Sequence, residues 1–244
     1  MKRLILAFSI ALASMTAIAQ SAFEGFYGQI ASGYEKNNFS NINPNWANLT
    51  QGGILYSISS SAPSQGTSGA PIPIGIGYLK SITNSFLLGV GIDYSPTSQQ
   101  TGNFSHNSIR SDGITFPFNN MSYKVSNKLN VYFLPSYAFD KEKLGYLKLG
   151  YSTQQLQYQQ NSDVESSGLE SGFTSKKNMN GYVLGLGYKQ IIQGGFYGFA
   201  EGNFYSYSKA TLTGYGTAQG STIGMSSSPS INSYQFLVGV GYRF

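Results

Sequence analysis

The sequence predicts an all-β chain: an eight-stranded antiparallel transmembrane β-barrel, wound as an up-and-down meander, with four long extracellular loops. Three observations carry this. Apolar residues alternate with polar residues or glycine in stretches of about 9 to 14 residues, and a period of two means a strand with two unlike faces. The chain holds 30 Gly, 19 Tyr and 16 Phe with only 10% charged residues, yet its mean hydropathy is −0.16. A barrel whose lipid and lumen faces alternate averages to such a value. Finally, long polar stretches and short turns follow the strands by turns, four of the first and three of the second. Outer-membrane barrels have this asymmetry, and an even strand number returns both ends to one side.

At the N-terminus, Met1-Lys2-Arg3 is a short basic segment, Leu4 to Met15 is mostly apolar, and Ala17-Ile18-Ala19 supplies small residues. This pattern predicts a secretory signal peptide over residues 1–19, exported through the Sec pathway and cleaved after about Ala19. The expected barrel domain is then 20–244. No later stretch has the 18 or more consecutive apolar residues of a membrane helix, so membrane residence must come from strands. Without Lys2 and Arg3, 13 basic residues face 10 acidic ones. A net charge of about +3, scattered along the chain, gives no footprint for nucleic acid. The absence of cysteine argues against a disulfide scaffold, thiolate metal sites, a thiol nucleophile and a lipid-bearing cysteine.

Taken in order, Phe23 to Glu35 is expected as the first strand, with Phe26, Gly28, Ile30 and Ser32 on one face. Residues 36–72 have loop chemistry, rich in Asn, Ser, Gly and Pro, and Ile54 to Ser59 alternates enough for a hairpin above the membrane. Pro73 to Ile82 places Ile74, Ile76 and Tyr78 outward. After the turn Thr83-Asn84-Ser85, Phe86 to Tyr94 sets Phe86, Leu88, Val90, Ile92 and Tyr94 against Leu87, Gly89, Gly91 and Asp93. A second polar loop, 95–121, precedes Ser122 to Ala138, where Tyr123, Val125, Leu129, Val131, Phe133 and Tyr137 oppose Lys124, Ser126, Lys128, Asn130 and Ser136. Across the turn at Asp140 to Lys143, Leu144 to Gln157 sets Leu147, Leu149, Tyr151 and Thr153 against Lys148, Gly150, Ser152 and Gln154. A third polar loop covers 158–177. Asn178 to Gln190 and Phe196 to Lys209 follow, joined by Gln193-Gly194-Gly195. A fourth loop, 210–232, leads to the last strand.

One pattern recurs: Gly75-Ile-Gly-Tyr78, Gly89-Val-Gly-Ile92, Gly185-Leu-Gly-Tyr188 and Gly239-Val-Gly-Tyr242. A dinucleotide loop needs a third glycine opening a helix, and none of the four has it. Glycine inside a strand marks a bend or close approach, and these share the lumen parity. The tyrosines after them face outward, suited to the headgroup level, with Tyr94 and Tyr123 candidates for the opposite girdle.

Asp93, Lys128, Lys148, Lys189, Glu201 and Arg243 also fall on inward parity. A Lys or Arg facing lipid near the midplane would cost about 2 to 4 kcal/mol, so inward placement is expected. Their mixed sign predicts salt bridges plugging a barrel just wide enough to be filled by its own side chains. The single histidine, His106, has Ser105, Ser108 and Asp112 nearby in sequence, company from which a hydroxyl, a base and an orienting carboxylate could be assembled. A solvated loop histidine is the plainer expectation, so no catalytic residue is assigned. One His without Cys gives no metal site, and no cofactor is expected. Trp46 lies in the first loop, as a surface anchor or a ligand contact.

The terminal stretch, Ser233 to Phe244, puts Tyr234, Phe236, Val238, Val240, Tyr242 and Phe244 on one face and ends on an aromatic. It resembles the C-terminal insertion signal of Gram-negative outer-membrane barrels. With the barrel pattern and signal peptide, the chain resembles the OmpX/OmpA-like and Opa-like family of small outer-membrane β-barrel proteins. The resemblance implies outer-membrane lipids, periplasmic chaperones and the outer-membrane assembly machinery as partners, and leaves any surface ligand unknown. The first functional expectation is a non-enzymatic surface protein acting through its loops in adhesion or at the envelope. A small channel is the alternative if the first loop adds a hairpin and makes ten strands, and a lipid-modifying enzyme using His106 is weaker. A secreted soluble sandwich is a further alternative.

Overall fold

The computed structural model describes residues 21–51, 53–218 and 220–244. The predicted signal peptide lies outside the described residues. Among them, sixteen strands follow one another. Strand β1 (Gly25–Ser40) leads into a finger made by β2 (Asn45–Gln51) and β3 (Ile54–Ser61), then a short β4 (Gln65–Gly69) and β5 (Ile74–Ser81). A tight turn gives β6 (Phe86–Ser95), then β7 (Gln99–Gln100), β8 (Phe104–Arg110) and the 24-residue β9 (Thr115–Ala138). After the second turn come β10 (Lys143–Gln160), one helical turn α1 (Val164–Ser167), β11 (Leu169–Ser171) and β12 (Phe173–Gln193). The chain finishes with β13 (Phe196–Tyr207), β14 (Leu212–Ala218), β15 (Ser221–Ser227) and β16 (Ser230–Arg243).

Eight of these close on themselves. The antiparallel pairs run β1–β5–β6–β9–β10–β12–β13–β16 and back to β1. Closure leaves no open edge, which a strand structure in lipid requires. The hairpin expected around Ile54 exists, but β2 and β3 stand outside the ring. The ring therefore stays at eight.

The alternation places side chains as the periodicity predicts. Phe86, Leu88, Val90, Ile92 and Tyr94 are exposed, whereas Leu87 and Asp93 are buried. On β16 the exposed row is Tyr234, Phe236, Val238, Val240 and Tyr242, followed by Phe244. These rows make a continuous apolar belt. Phe26 with Tyr78, Phe196 with Tyr242 and Tyr242 with Phe244 form an aromatic rim at the short-turn end, with ring centroids 4.8, 4.8 and 5.2 Å apart. Tyr34, Tyr94, Tyr151, Tyr182 and Tyr234 are exposed at the other rim. Phe86 to Tyr94 is nine residues of strand, about 20 Å along the axis at a tilt of about 40°, close to the ~25 Å apolar band of such barrels.

The expected long loops are the main departure. Most of their residues form strands that continue the ring outward, and a second path β9–β8–β3–β2–β15–β14–β11 curls above it. Between these layers lies an apolar core of Phe39, Ile42, Trp46, Ile58, Phe118, Met121, Tyr123, Val125, Leu156, Tyr158, Met179, Leu212, Ile223 and Met225 among others. Polar strings hid this core because its apolar members are single residues, far apart in sequence, that only the pairing brings together.

One parity expectation fails for a local reason. Tyr123 and Val125 were assigned to the lipid side with Leu129 and Val131, but they are buried inside, 0% and 3% exposed. Asn127 adopts φ 54°, and the β9–β10 register shifts between Thr153 and Gln155. This β-bulge puts two residues of β9 against one of β10 and reverses the facing beyond it. Tyr123 is thus no girdle residue.

Candidate functional site: a filled lumen beneath a folded cap

The inward side chains of the ring form two layers. At mid-height, the Lys148 ammonium lies 2.7 Å from Asp93 Oδ2 and 3.0 Å from Glu201 Oε1, all three buried. Asn130 Nδ2 donates to the other oxygen of Asp93 at 2.5 Å. Glu201 also accepts from Tyr146 Oη at 2.8 Å and Asn203 Nδ2 at 2.7 Å. A second pair joins Lys128 to Glu35 at 2.6 Å, with Asn37, Gln99 and Gln235 amides donating to the same carboxylate. Burying a charge is costly unless it is paired and hydrogen-bonded, and each of these carboxylates has a lysine and at least one further donor. An enclosed space of about 10 Å³ remains among Asp93, Lys128, Lys148, Glu201 and Tyr205, room for about one water.

Lys189 is held differently. Its ammonium sits 3.9, 4.6 and 5.5 Å from the ring centroids of Tyr27, Tyr197 and Tyr146, and it donates to Gln29 Oε1 at 3.2 Å. Three ring faces substitute for a carboxylate, since a desolvated cation is attracted to the negative face of an aromatic ring. Lys148 likewise lies 4.3 Å over Tyr132.

Those four tyrosines explain the second glycine of each repeat. Tyr27 is paired across the sheet with Gly77, Tyr132 with Gly91, Tyr146 with Gly187 and Tyr197 with Gly241. A Cβ on any of these glycines would come within 2.1 to 2.4 Å of the tyrosine side chain opposite. The phenol end of each tyrosine lies over a strand position that has no side chain, so four aromatic rings fit in one narrow lumen.

Of the six charges predicted to face inward, Asp93, Lys148 and Glu201 are brought together, while Lys128 and Lys189 find other partners. Arg243 is half-buried at the short-turn end, donating from Nη1 to the Glu24 carbonyl at 3.2 Å. The sequence argument missed Glu35, although its parity with Tyr27 and Ala31 on β1 marks it as inward. The four tyrosines were missed because their role depends on which glycine stands opposite, which is a matter of register.

Above the upper rim, the cap interior is apolar. Phe118 is sandwiched between Trp46 (centroids 4.4 Å apart, 11° between planes) and His106 (5.5 Å, 25°). Trp46 is 2% exposed, so it is neither a surface anchor nor an exposed ligand contact. His106 is 3% exposed, and neither ring nitrogen has a hydrogen-bond partner among the described residues. Burial without a partner drives its pKa down from 6.5 to about 4, because the charged imidazolium loses hydration with nothing in exchange. Nor are its sequence neighbours arranged for catalysis. Ser108 Oγ bonds to Ser60 Oγ at 2.7 Å, and Asp112 accepts two hydrogen bonds from Arg110, at 2.9 and 2.6 Å. The Arg110 guanidinium holds the Asp112 carboxyl below its usual range. The outer tips of the cap expose aliphatic side chains, Ile54 and Leu55 on the β2–β3 finger and Ile109 and Ile114 on the β8–β9 finger. Among the described residues no three His, Cys, Asp or Glu are grouped as metal ligands.

A closed eight-strand ring with an apolar belt, two aromatic rims and a filled polar lumen defines a small integral β-barrel of the outer-membrane kind. Solved structures similar to it include small outer-membrane barrel proteins. They include the outer-membrane protease OmpT of Escherichia coli, with a TM-score of 0.49 and 11% identity over 95% of this chain and 99% of that one. Another is OprG of Pseudomonas aeruginosa, TM-score 0.42 and 11% identity over 93% and 99%. A third is the attachment invasion locus protein Ail of Yersinia pestis, TM-score 0.39 and 14% identity over 91% and 99%. No family model and no curated protein matches the chain.

Proposed function

We propose that the protein is a non-enzymatic surface protein of the Gram-negative outer membrane, exported by the Sec route and presenting a rigid β-cap for contact with other surfaces. The observation that carries this is the combination of a blocked interior and a built exterior. Below the cap, paired charges and tyrosines occupy the mid-lumen, and the space left among Asp93, Lys128, Lys148, Glu201 and Tyr205 is about 10 Å³. Above the membrane, sequence that reads as loop is folded round its own core and lifts Ile54, Leu55, Ile109 and Ile114 into solvent. Binding residues carried on a rigid scaffold lose little entropy on contact. The unpartnered, buried position of His106 supports a structural role for it rather than a catalytic one.

Two measurements test this. Purified protein refolded into planar bilayers should give no steady conductance steps; regular pores would overturn the blocked-lumen argument. Cells displaying the protein should adhere to a target cell layer, and Leu55→Asp with Ile109→Asp should abolish adhesion at equal surface amounts. Adhesion that survives both substitutions would remove the cap tips as the contact surface.

A further inference from the structure

The lipid-facing side of the ring is not uniform. On β13 the outward residues are Phe196, Gly198, Ala200, Gly202 and Phe204, so a run of small residues lies between two aromatic ones. Gly202 is flanked in its row by Leu186 on β12 and Phe236 on β16, and a side chain there would meet nothing within 4 Å. A shallow, open groove of about 500 Å³ results, lined by Leu184, Leu186 and Phe236 with Tyr34, Phe204 and Tyr234. One row above Gly202, pairing carries Phe204 to Tyr234 and on to Lys36. The next row holds Ser206, Asn232 and Asn38. The outward faces of β1, β12, β13 and β16 bear no acidic residue. Lys36 is exposed and makes no ion pair among the described residues.

We infer that this sector is a specific site for one phosphorylated, saccharide-bearing lipid of the outer leaflet, a lipid A-type molecule. An acyl chain lies in the groove over Gly202, the hydroxyl and amides of Ser206, Asn232 and Asn38 meet the sugar, and Lys36 meets a phosphate. Position selects the ligand: the groove reaches the upper rim, where the outer leaflet's headgroups lie, and cations placed there attract anionic headgroups. Charge gives a second copy of the chain no support, because a self-complementary interface on this sector would offer Lys36 no carboxylate to meet.

Native mass spectrometry of the refolded protein tests the site, using hexa-acylated bisphosphorylated lipid A, its dephosphorylated form and an anionic phospholipid as probes. Heat-modifiable gel mobility first establishes that each variant has folded. The wild type should retain one lipid A. Lys36→Gln should weaken retention about fivefold, the loss of one lysine's attraction to an anionic surface, and should leave binding of the dephosphorylated form unchanged. Gly202→Leu, which fills the groove from a position with open space, should weaken retention of both forms. Equal retention by wild type and both variants would overturn the site. Phospholipid held as tightly as lipid A would overturn the choice of ligand, and a dimer broken by Gly202→Leu would give the groove to a second copy.

Discussion

The mid-lumen and the cap interior are enclosed by the same strands, one above the other, yet their chemistry is opposite. On β10 the outward residues run Leu147, Leu149, Tyr151 and then Thr153, Gln155, Gln157, Gln159. The inward ones run Tyr146, Lys148, Ser152, Gln154 and then Leu156 and Tyr158, the last two 0% and 1% exposed. β1 does the same, with Ile30 and Tyr34 outside giving way to Lys36 and Asn38, and Glu35 inside giving way to Phe39. β12 passes from Leu184 and Tyr182 to Asn180, Asn178 and Lys176. The inversion falls just beyond the upper aromatic rim. Below it the outside is hydrocarbon, so the polar residues a strand carries must go inward and pair. Above it the outside is water, and the ordinary rule of an apolar interior returns. One pleat serves two solvents because its polarity changes sign at the interface.

If the two interiors are held by different forces, they should fail differently. The largest expected effect is at Lys148: replacing it with Ala leaves Asp93 and Glu201 buried without their cation, which costs about 3 to 5 kcal/mol. Urea unfolding in vesicles, followed by heat-modifiable mobility, should show the whole ring destabilised. Trp46→Ala removes a fully packed aromatic and costs about as much, 3 to 5 kcal/mol. That loss should be confined to the cap, seen as rapid proteolysis within residues 36–72 while the ring stays folded. If the ring melts with it, cap and ring are one cooperative unit and the comparison fails.

Acid should separate the two regions further. The folded-state pKa of His106 is depressed to about 4 from 6.5, so the unfolded cap takes up its proton first. The stabilisation is complete above about pH 6.5, declines as pH falls, and is gone near pH 4, about 3 kcal/mol in all. Cap proteolysis measured at pH 7 and pH 4.5 should accelerate, and His106→Phe, which preserves stacking on Phe118, should flatten that change. An identical acid response in the variant would show that another group titrates. The smallest effect is expected at the glycine–tyrosine pairs: Gly187→Ala, whose Cβ would lie 2.1 Å from the Tyr146 ring, should cost about 1 to 3 kcal/mol through overpacking. A thermal midpoint unchanged from wild type would mean that the ring can move aside.

Much of the barrel was legible because a strand in a bilayer has so few options. The period of two, the short turns expected at 83–85, 140–143 and 193–195, and the confinement of Asp93, Lys148, Lys189 and Glu201 to one parity all follow from crossing a bilayer with strands while keeping charge out of lipid. Asn127 marks the limit of such reasoning, since one residue in a left-handed conformation reverses every face beyond it and nothing in the alternation announces it. The polar stretches were misjudged because they were weighed by average composition. Leu156 and Tyr158 continue the inward parity of β10, and Phe39 that of β1, so the inversion was written in the pattern beyond the upper rim.

By itself, then, the sequence determined the closed strand architecture, the lipid-facing rows and the inward charges, because each follows from local periodicity against a fixed solvent. Tertiary structure alone decided which carboxylate meets which lysine, that Gly77, Gly91, Gly187 and Gly241 each lie opposite a tyrosine, and that scattered residues such as Trp46, Phe118 and Met225 share one core. Those outcomes depend on the register between strands far apart in the chain, a quantity that no single stretch of sequence contains.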